Sequence, residues 1–242
     1  MVIYMGLLAI LSIPFWIVTG IVSLTINTKR EYTHYSRFYG RYFSLVLRYA
    51  CFLAGVRTRV NGRDKIKDGE NYLFVINHRS NYDPMILAGE LSRNPIAFIS
   101  KPGNFKIPIG RRFMHRCGYL ALNRENPREG MKTIKRASDM MKETDFNTGI
   151  GVCPEGTRNF TEETLLEFKP GCFKCAMWAK KDIVVCTAVG TENVHRNYLR
   201  RRTKVVIDIL EVLKYEDIKG LTTIEVSDRV RDIMLKRLEN KD

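Results

Sequence analysis

The pattern of apolar and polar residues divides the chain near residue 57. Residues 1–28 carry no charged side chain and are long enough for a helix that enters a bilayer, since about 20 helical residues cross its hydrocarbon core. Residues 36–56 form a second apolar stretch, and from residue 57 short apolar runs alternate with amphipathic stretches. The sequence therefore predicts a membrane-associating helical segment at 1–56 and an α/β domain at 57–242.

Short apolar runs bounded by polar turns indicate buried strands in the second part. After an alternating segment at 56–60, strands are predicted at 72–76, 96–100, 119–122, 149–153, 183–189 and 205–210. Helices are predicted between them at about 84–93, 127–144, 171–181 and 222–239. Alternation of strand and helix predicts an α/β fold, with a largely parallel twisted central sheet flanked by helices and preceded by the membrane-associating helices.

The stretch at 36–56 has two interpretations. Arg37, Arg41 and Arg48 repeat at helical spacing, so an in-plane amphipathic helix would turn them toward lipid headgroups. Its apolar side chains would then enter the acyl boundary, namely Phe38, Tyr42, Leu45, Val46, Tyr49 and Phe52. A core helix with a solvated basic face is the alternative. The first is favoured because the stretch follows a membrane-competent segment, although Pro14 leaves open whether that segment spans the bilayer or returns.

Charge supports a membrane location. The chain has 40 basic and 26 acidic residues, a net charge of +14, and eight basic residues against one acidic residue fall within 29–63. Such an excess predicts attraction to phosphate. The basic residues lie beside apolar segments and are not interleaved with aromatic residues on a recognition element, so no nucleic acid partner is expected. Lys29 and Arg30 follow the first segment, and the positive-inside rule predicts the cytoplasmic face.

Composition excludes two further classes of protein. With 45% hydrophobic and 27% charged residues, the chain is neither disordered nor a polytopic membrane protein. Its six cysteines lie among apolar residues, which is typical of reduced thiols. Cys172-x-x-Cys175 has no second pair at ligand spacing, so no metal site is expected.

The first candidate for chemistry follows the strand predicted at 72–76. His78 lies just beyond it and Asp83 five residues later, where sites in open α/β sheets are found. A carboxylate paired with one imidazole nitrogen orients the ring and leaves the other nitrogen free as a general base. Asp83-Pro84 is also typical of a helix start, so a capping role stays open.

The second candidate follows the strand predicted at 149–153. Here Gly156 allows a ligand to approach the backbone, while Thr157 and Arg158 offer donors suited to a phosphate. Taken alone, this is equally an ordinary polar loop.

Together the two loops resemble the glycerolipid acyltransferase family typified by 1-acylglycerol-3-phosphate O-acyltransferase. His78-x4-Asp83 matches the family's His-x4-Asp motif, and Pro154 to Arg158 match its Pro-Glu-Gly-Thr-Arg motif. Further stretches resemble the acceptor-binding motif and the segment that follows: Lys101, Ile107-Pro108, Asn123-Arg124 and Phe168-Lys169-Pro170-Gly171. The match covers roughly residues 57–192.

The resemblance implies direct transfer of a fatty acyl group from an acyl-CoA or acyl carrier protein thioester. The acceptor would be the sn-2 hydroxyl of lysophosphatidic acid, giving phosphatidic acid, with His78 as general base and Asp83 as its orienting partner. The residues expected at the acceptor's phosphate are Arg158, Thr157 and Gly156, with Arg124 and Lys101. Glu155 is expected to orient Arg158 or to contact the glycerol hydroxyl. No cofactor is implied beyond the acyl donor.

Alternatives remain at this stage. The same chemistry could serve glycerol 3-phosphate, another lysophospholipid or an amino-acid lipid. A non-catalytic basic membrane-binding protein would explain the charge without the histidine. The basic cluster at 195–204 is a hypothesised contact with the membrane surface or a carrier protein.

Overall fold

The structure is a computed structural model that describes residues 2–143, 148–198 and 202–240. Its strands are β1 (Val56–Asn61), β2 (Leu73–Ile76), β3 (Ile96–Ser100), β4 (Leu120–Ala121), β5 (Gly149–Val152), β6 (Ile183–Val189) and β7 (Thr203–Leu213). Its helices are α1 (Val2–Leu24), α2 (Arg37–Leu53), α3 (Tyr82–Glu90), α4 (Pro108–Arg116), α5 (Pro127–Lys142), α6 (Lys174–Ala179), α7 (Tyr215–Ile218) and α8 (Thr223–Glu239).

The strands form one sheet in the order β1-β7-β6-β2-β5-β3-β4. Every neighbouring pair is parallel except β6 and β7, which are antiparallel. All four residues of the central strand β2 are buried, as expected for a strand covered on both faces. The predicted α/β fold with a largely parallel sheet is confirmed. The ends of β2, β3, β5 and β6 therefore meet at one edge of the sheet, here called the carboxyl edge.

Two hydrophobic cores sandwich the sheet. One contains side chains from α2, α3 and α4, with α1 packed against it. The other lies under α5, α6 and α8. Each strand sends alternate residues to the two cores, since side chains of β2 and β7 appear in both. The three layers place the loops after β2 and β5 next to each other at the carboxyl edge.

Several elements differ from the predictions. Helix α4 was not predicted, because the arginine and histidine residues at 111, 112, 115 and 116 surround its two buried side chains, Phe113 and Met114. Helix α3 begins at Tyr82, ahead of the predicted start, and β7 extends beyond the predicted 205–210 at both ends. In the basic cluster at 195–204, residues 199–201, including Arg200 and Arg201, lie outside the described residues.

Helices α1 and α2 pack side by side in opposite directions. Phe15 of α1 contacts Tyr49, with ring centroids 4.1 Å apart, and Thr25 Oγ1 lies 2.7 Å from the hydroxyl of Tyr39. Because β1 runs antiparallel to β2, the end of α2 and hence the beginning of α1 lie on the side of the carboxyl edge. The membrane-competent segment thus approaches the sheet edge that carries the candidate site.

The outer faces of these helices are apolar and exposed. On α1 the exposed large side chains are Leu7, Ile10, Leu11, Ile13, Ile17, Val18, Ile21 and Leu24. On α2 they are Phe38, Leu45 and Phe52, spaced seven residues apart. Val46, predicted with them, is instead buried in the core, because it lies on the side of α2 that faces the sheet layer. By length and composition, Gly6–Leu24 is able to cross a membrane.

Candidate active site

His78 and Asp83 form a hydrogen-bonded pair at the carboxyl edge. His78 Nδ1 lies 3.0 Å from Asp83 Oδ2, and the Asp83 side chain is fully buried while that of His78 is 18% exposed. Since a carboxylate only accepts, Nδ1 is the donor in this bond, and Nε2 is the ring nitrogen that could accept a proton from a substrate. The pair has the geometry of an oriented general base.

Backbone amides fix Asp83 in this position. Its Oδ2 also accepts from the N–H groups of Arg79, at 2.8 Å, and Ser80, at 2.7 Å. Helix α3 begins one residue earlier, at Tyr82, with Asn81 at the N-cap position, so Asp83 is not the capping residue. Its carboxylate closes the turn between β2 and α3 and orients the imidazole at once.

These contacts also limit where an oxyanion could bind. The amides of Arg79 and Ser80 donate to Asp83, and those of Tyr82 and Asp83 donate to Ser80 Oγ and Ser80 O. These four amides are therefore already committed to acceptors within the protein.

Glu155 holds the backbone behind the histidine. Its Oε1 accepts from the His78 N–H at 2.6 Å, and its Oε2 accepts from the Leu166 N–H at 3.0 Å. The residue is 2% exposed. Burial raises the pKa of its carboxyl, and the two N–H donors partly oppose that rise. The expected partner Arg158 makes neither of these bonds, so Glu155 joins three chain segments through the backbone.

The chain after Glu155 wraps around His78. Asn159 N–H donates to the carbonyl of His78 at 2.7 Å, and its side chain binds Thr161 and Glu163. Arg79 donates to the carbonyls of Thr161 and Glu163. The loop 157–166 and the His78 loop therefore form one hydrogen-bonded unit.

Asn77 ties the same loop to the sheet on its other side. Its amide donates to the carbonyl of Ala188 at 3.0 Å and accepts from the Ala188 N–H at 2.7 Å. The side chain thus continues the pairing of β2 with β6 beyond Ile76, and it is 1% exposed. His78 is held from both neighbouring strands.

A cavity of about 520 Å³ opens beside this unit. The motif residues Arg124, Glu155, Gly156 and Thr157 line it, and so do two residues without a predicted role, Cys153 and Lys169. Most of its remaining wall is apolar. Gly156 adopts a φ of 73°, which a residue with a side chain would adopt only with strain. The cavity offers an apolar wall for an acyl chain and two cations for an anionic group, Arg124 and Lys169, the second of which also lies 3.6 Å from Glu167.

The other two predicted binding residues lie outside this cavity's lining. Lys101 is exposed at the end of β3. Arg158 places its guanidinium carbon 4.8 Å from the centroid of the Phe160 ring, which is 75% exposed. That stack holds Arg158 at the rim of the loop, where it is partly exposed.

The cysteines near the site are free thiols, of which Cys153 and Cys172 are partly buried and Cys175 is buried. Burial raises the pKa of Cys153 well above its usual range, and the carboxylates of Asp83 and Glu155 raise it further. Cys175 is completely buried in the core. Among the described residues there is no cluster of three or more histidine, cysteine or acidic side chains arranged to hold a metal.

Comparisons with known proteins agree with this geometry. The model of the family described as Acyltransferase matches residues 57–190, which include both loops, the cavity and the sheet from β1 to β6. The chain belongs to the acyltransferase family. The predicted family and enzyme class are thereby confirmed.

Curated relatives of this acyltransferase carry more specific names. The 1-acyl-sn-glycerol-3-phosphate acyltransferase of Borreliella burgdorferi is 28% identical over 209 residues, covering 81% of this chain and 79% of that protein. A protein of the same name from Streptococcus pneumoniae is 28% identical over 166 residues, covering 66% of this chain and 59% of that protein.

A solved structure shares the fold. The crystal structure of the 1-acyl-sn-glycerophosphate (LPA) acyltransferase PlsC from Thermotoga maritima superposes with a TM-score of 0.71. The match covers 98% of this acyltransferase and 92% of that chain at 20% identity, and the likeness therefore concerns the fold.

Sequence reasoning missed three residues of the site in this acyltransferase. These residues are Asn77, Asn159 and Lys169. None had a predicted role, because their contacts join segments that are distant in sequence. The only available signal was their position, since each follows a strand or a motif at the carboxyl edge.

Proposed function

We propose that this acyltransferase moves a fatty acyl group from a thioester to the sn-2 hydroxyl of lysophosphatidic acid, giving phosphatidic acid. The observation that carries the proposal is the 3.0 Å bond between His78 Nδ1 and Asp83 Oδ2. Neither residue lines the cavity, but Glu155 both lines it and accepts from the His78 N–H. The names of the relatives support the choice of acceptor.

The proposed reaction is one displacement. His78 Nε2 takes the proton from the acceptor hydroxyl as its oxygen attacks the thioester carbonyl. The carbon–sulfur bond then breaks, and the thiolate leaves with the proton returned by the imidazolium. Asp83 stabilises that imidazolium. Because a thioester is already activated, the step needs neither a covalent enzyme intermediate nor a metal.

The acyl donor is proposed as acyl-CoA or acyl carrier protein. Both deliver the same thioester, so the chemistry at His78 is identical. Assaying each donor with the same acceptor tells them apart.

The acceptor's phosphate is proposed to lie between Arg124 and Lys169, with Thr157 and Arg158 at the rim and Lys101 nearby. Guanidinium and ammonium groups bind phosphate through charge-assisted hydrogen bonds, and Gly156 leaves the backbone open to it. This arrangement favours a phosphorylated acceptor over a neutral one.

Removing one of these cations tests the acceptor assignment. We expect Arg124→Ala and Arg158→Ala to raise the apparent KM for lysophosphatidic acid roughly ten- to a hundredfold, because each loses a hydrogen bond to a charged group. Initial rates at varied concentrations of each acceptor measure the KM, with lysophosphatidic acid, glycerol 3-phosphate, lysophosphatidylcholine and monoacylglycerol as the acceptors. The control is Arg59→Ala, at an exposed position of β1. Activity restricted to monoacylglycerol, or an unchanged KM, would contradict the phosphate assignment.

Residues 1–56 are proposed to hold the enzyme at the cytoplasmic face of a membrane. The outer face of α1 is apolar and exposed, and its beginning lies on the side of the carboxyl edge. A lipid acceptor would then reach His78 without leaving the interface.

Charges on the outer face of α1 test this anchor. We expect Ile10→Asp combined with Ile17→Asp to move part of the protein from the membrane to the soluble fraction, because each buried carboxylate costs about 3 kcal/mol in hydrocarbon, while the exposed apolar stripe of α2 is unchanged. Fractionation by centrifugation measures it. Ile224→Asp, at an exposed isoleucine of α8 on the other face of the sheet, is the control. Retention of the double variant to the same extent as the unaltered protein would refute α1 as an anchor.

A further inference from the structure

A second cavity lies far from the candidate active site, between α2 and the loops that precede β2 and β3. It has a volume of about 520 Å³. Four arginines line it, together with one carboxylate and a tyrosine: Arg37, Arg41, Arg48, Arg93, Asp68 and Tyr35. Because β2 and β3 begin at this edge of the sheet, the cavity lies at the edge opposite His78.

The arginines are only partly neutralised by the protein. Arg93 pairs with Asp68 at 3.0 Å and Arg48 lies 3.6 Å from Glu90. Arg37 and Arg41 form no ion pair with any carboxylate in the described part of the chain. The cavity therefore holds at least two guanidinium groups available to an anion.

The arginines on α2 stand where a helix does not favour them. Arg37 is the first residue of α2, whose first turn contains no acidic residue, so its charge opposes the helix dipole. Arg41 follows at four residues, a spacing at which like charges repel. Both arginines thus destabilise α2 locally, and unfavourable residues on one helix face indicate a functional role.

The wall of the cavity is built for close packing. A Cβ on Gly40 would lie 1.6 Å from the hydroxyl of Tyr35, so the tyrosine occupies space that only glycine leaves open. Burial raises the pKa of Tyr35, so its phenol stays protonated in this packed position. The groups that a phosphate would meet are the guanidinium groups, which bind phosphate through charge-assisted hydrogen bonds.

The neighbouring surface identifies the source of that phosphate. Phe38, Leu45 and Phe52 form an exposed apolar stripe on α2 directly beside the arginine row, and Leu45 also lines the cavity. The outer face of α1 continues the apolar surface. We infer that this cavity binds the headgroup phosphate of an anionic membrane phospholipid, whose acyl chains lie along the stripe.

Vesicle binding by the full chain tests the inference without reference to catalysis. Flotation with phosphatidylcholine vesicles, with and without phosphatidylglycerol, measures the apparent affinity. We expect tighter binding to the anionic vesicles. Arg37→Glu combined with Arg41→Glu should lower that affinity roughly tenfold or more and leave binding to neutral vesicles unchanged.

A matched variant separates a site from diffuse charge. Lys132→Glu combined with Lys135→Glu makes the same change in net charge on α5, at exposed positions on the other face of the sheet. These substitutions should leave the preference for anionic vesicles intact. An equal loss in both pairs of variants would overturn the inference.

Two further experiments test the charge of the site and the identity of its ligand. Asp68→Asn should tighten binding to anionic vesicles, because it frees Arg93 and removes a repelling carboxylate; weaker binding would contradict the site. Inorganic phosphate is the second probe. Calorimetric titration should show no binding of inorganic phosphate to the protein at phosphate concentrations that do not displace the protein from anionic vesicles. Displacement from the vesicles by inorganic phosphate would overturn the assignment to a lipid.

Discussion

Replacing His78 or Asp83 by alanine is expected to lower acyl transfer about 10²- to 10⁴-fold, the usual contribution of a positioned general base. His78→Ala removes the proposed proton acceptor. Asp83→Ala removes the carboxylate that accepts from His78 Nδ1, and it leaves the amides of Arg79 and Ser80 without their acceptor. Initial rates with lysophosphatidic acid and each donor measure the effect.

The control for this experiment is His34→Ala, because His34 is an exposed histidine at the surface. It should retain full activity, and all three variants should bind membranes as the unaltered enzyme does. Transfer by His78→Ala at a rate near that of the unaltered protein would exclude the imidazole as the base.

Glu155→Gln is expected to produce the second large loss, chiefly in kcat. The glutamine has one acceptor oxygen for two backbone N–H groups, so either His78 or Leu166 is left with an unpaired donor facing an amide nitrogen. An unsatisfied buried group costs about 1–3 kcal/mol, and the displaced backbone carries the His78 ring away from its aligned position.

The division of the effect between kcat and KM distinguishes a positioning role for Glu155. We expect the KM for lysophosphatidic acid to stay near its normal value in Glu155→Gln, in contrast to Arg158→Ala. Thermal unfolding of the variant separates lost alignment from lost folding. A rise in KM with unchanged kcat would instead assign Glu155 to the acceptor, as its sequence motif first suggested.

The fold was largely predictable because its signals are local. Buried strands such as β3 and β6 are short apolar runs with polar boundaries, and their predicted limits agree with the structure. Helix α4 was missed because its apolar face is only two side chains wide and its charges bind backbone carbonyls, as Arg112 does at Ile26. Tertiary contacts of that kind leave no periodic signal in the sequence.

The candidate site was predictable only in part. His78 and Asp83 are five residues apart, so a single turn brings them together and their spacing carries the information. Glu155 and Asn77 act through backbone groups 77 and 111 residues away, which no spacing rule identifies. The sequence suggested a role for Glu155 but not for Asn77, and the partners of both depend on the order of the strands.

The most direct test of the proposed chemistry is the lipid product formed by the purified enzyme in membranes. Labelled acyl groups are supplied as acyl-CoA or as acyl carrier protein, with lysophosphatidic acid as acceptor. We predict labelled phosphatidic acid acylated at the sn-2 position with at least one donor. If neither donor gave that product, the proposal would be contradicted, whether or not another acceptor was acylated.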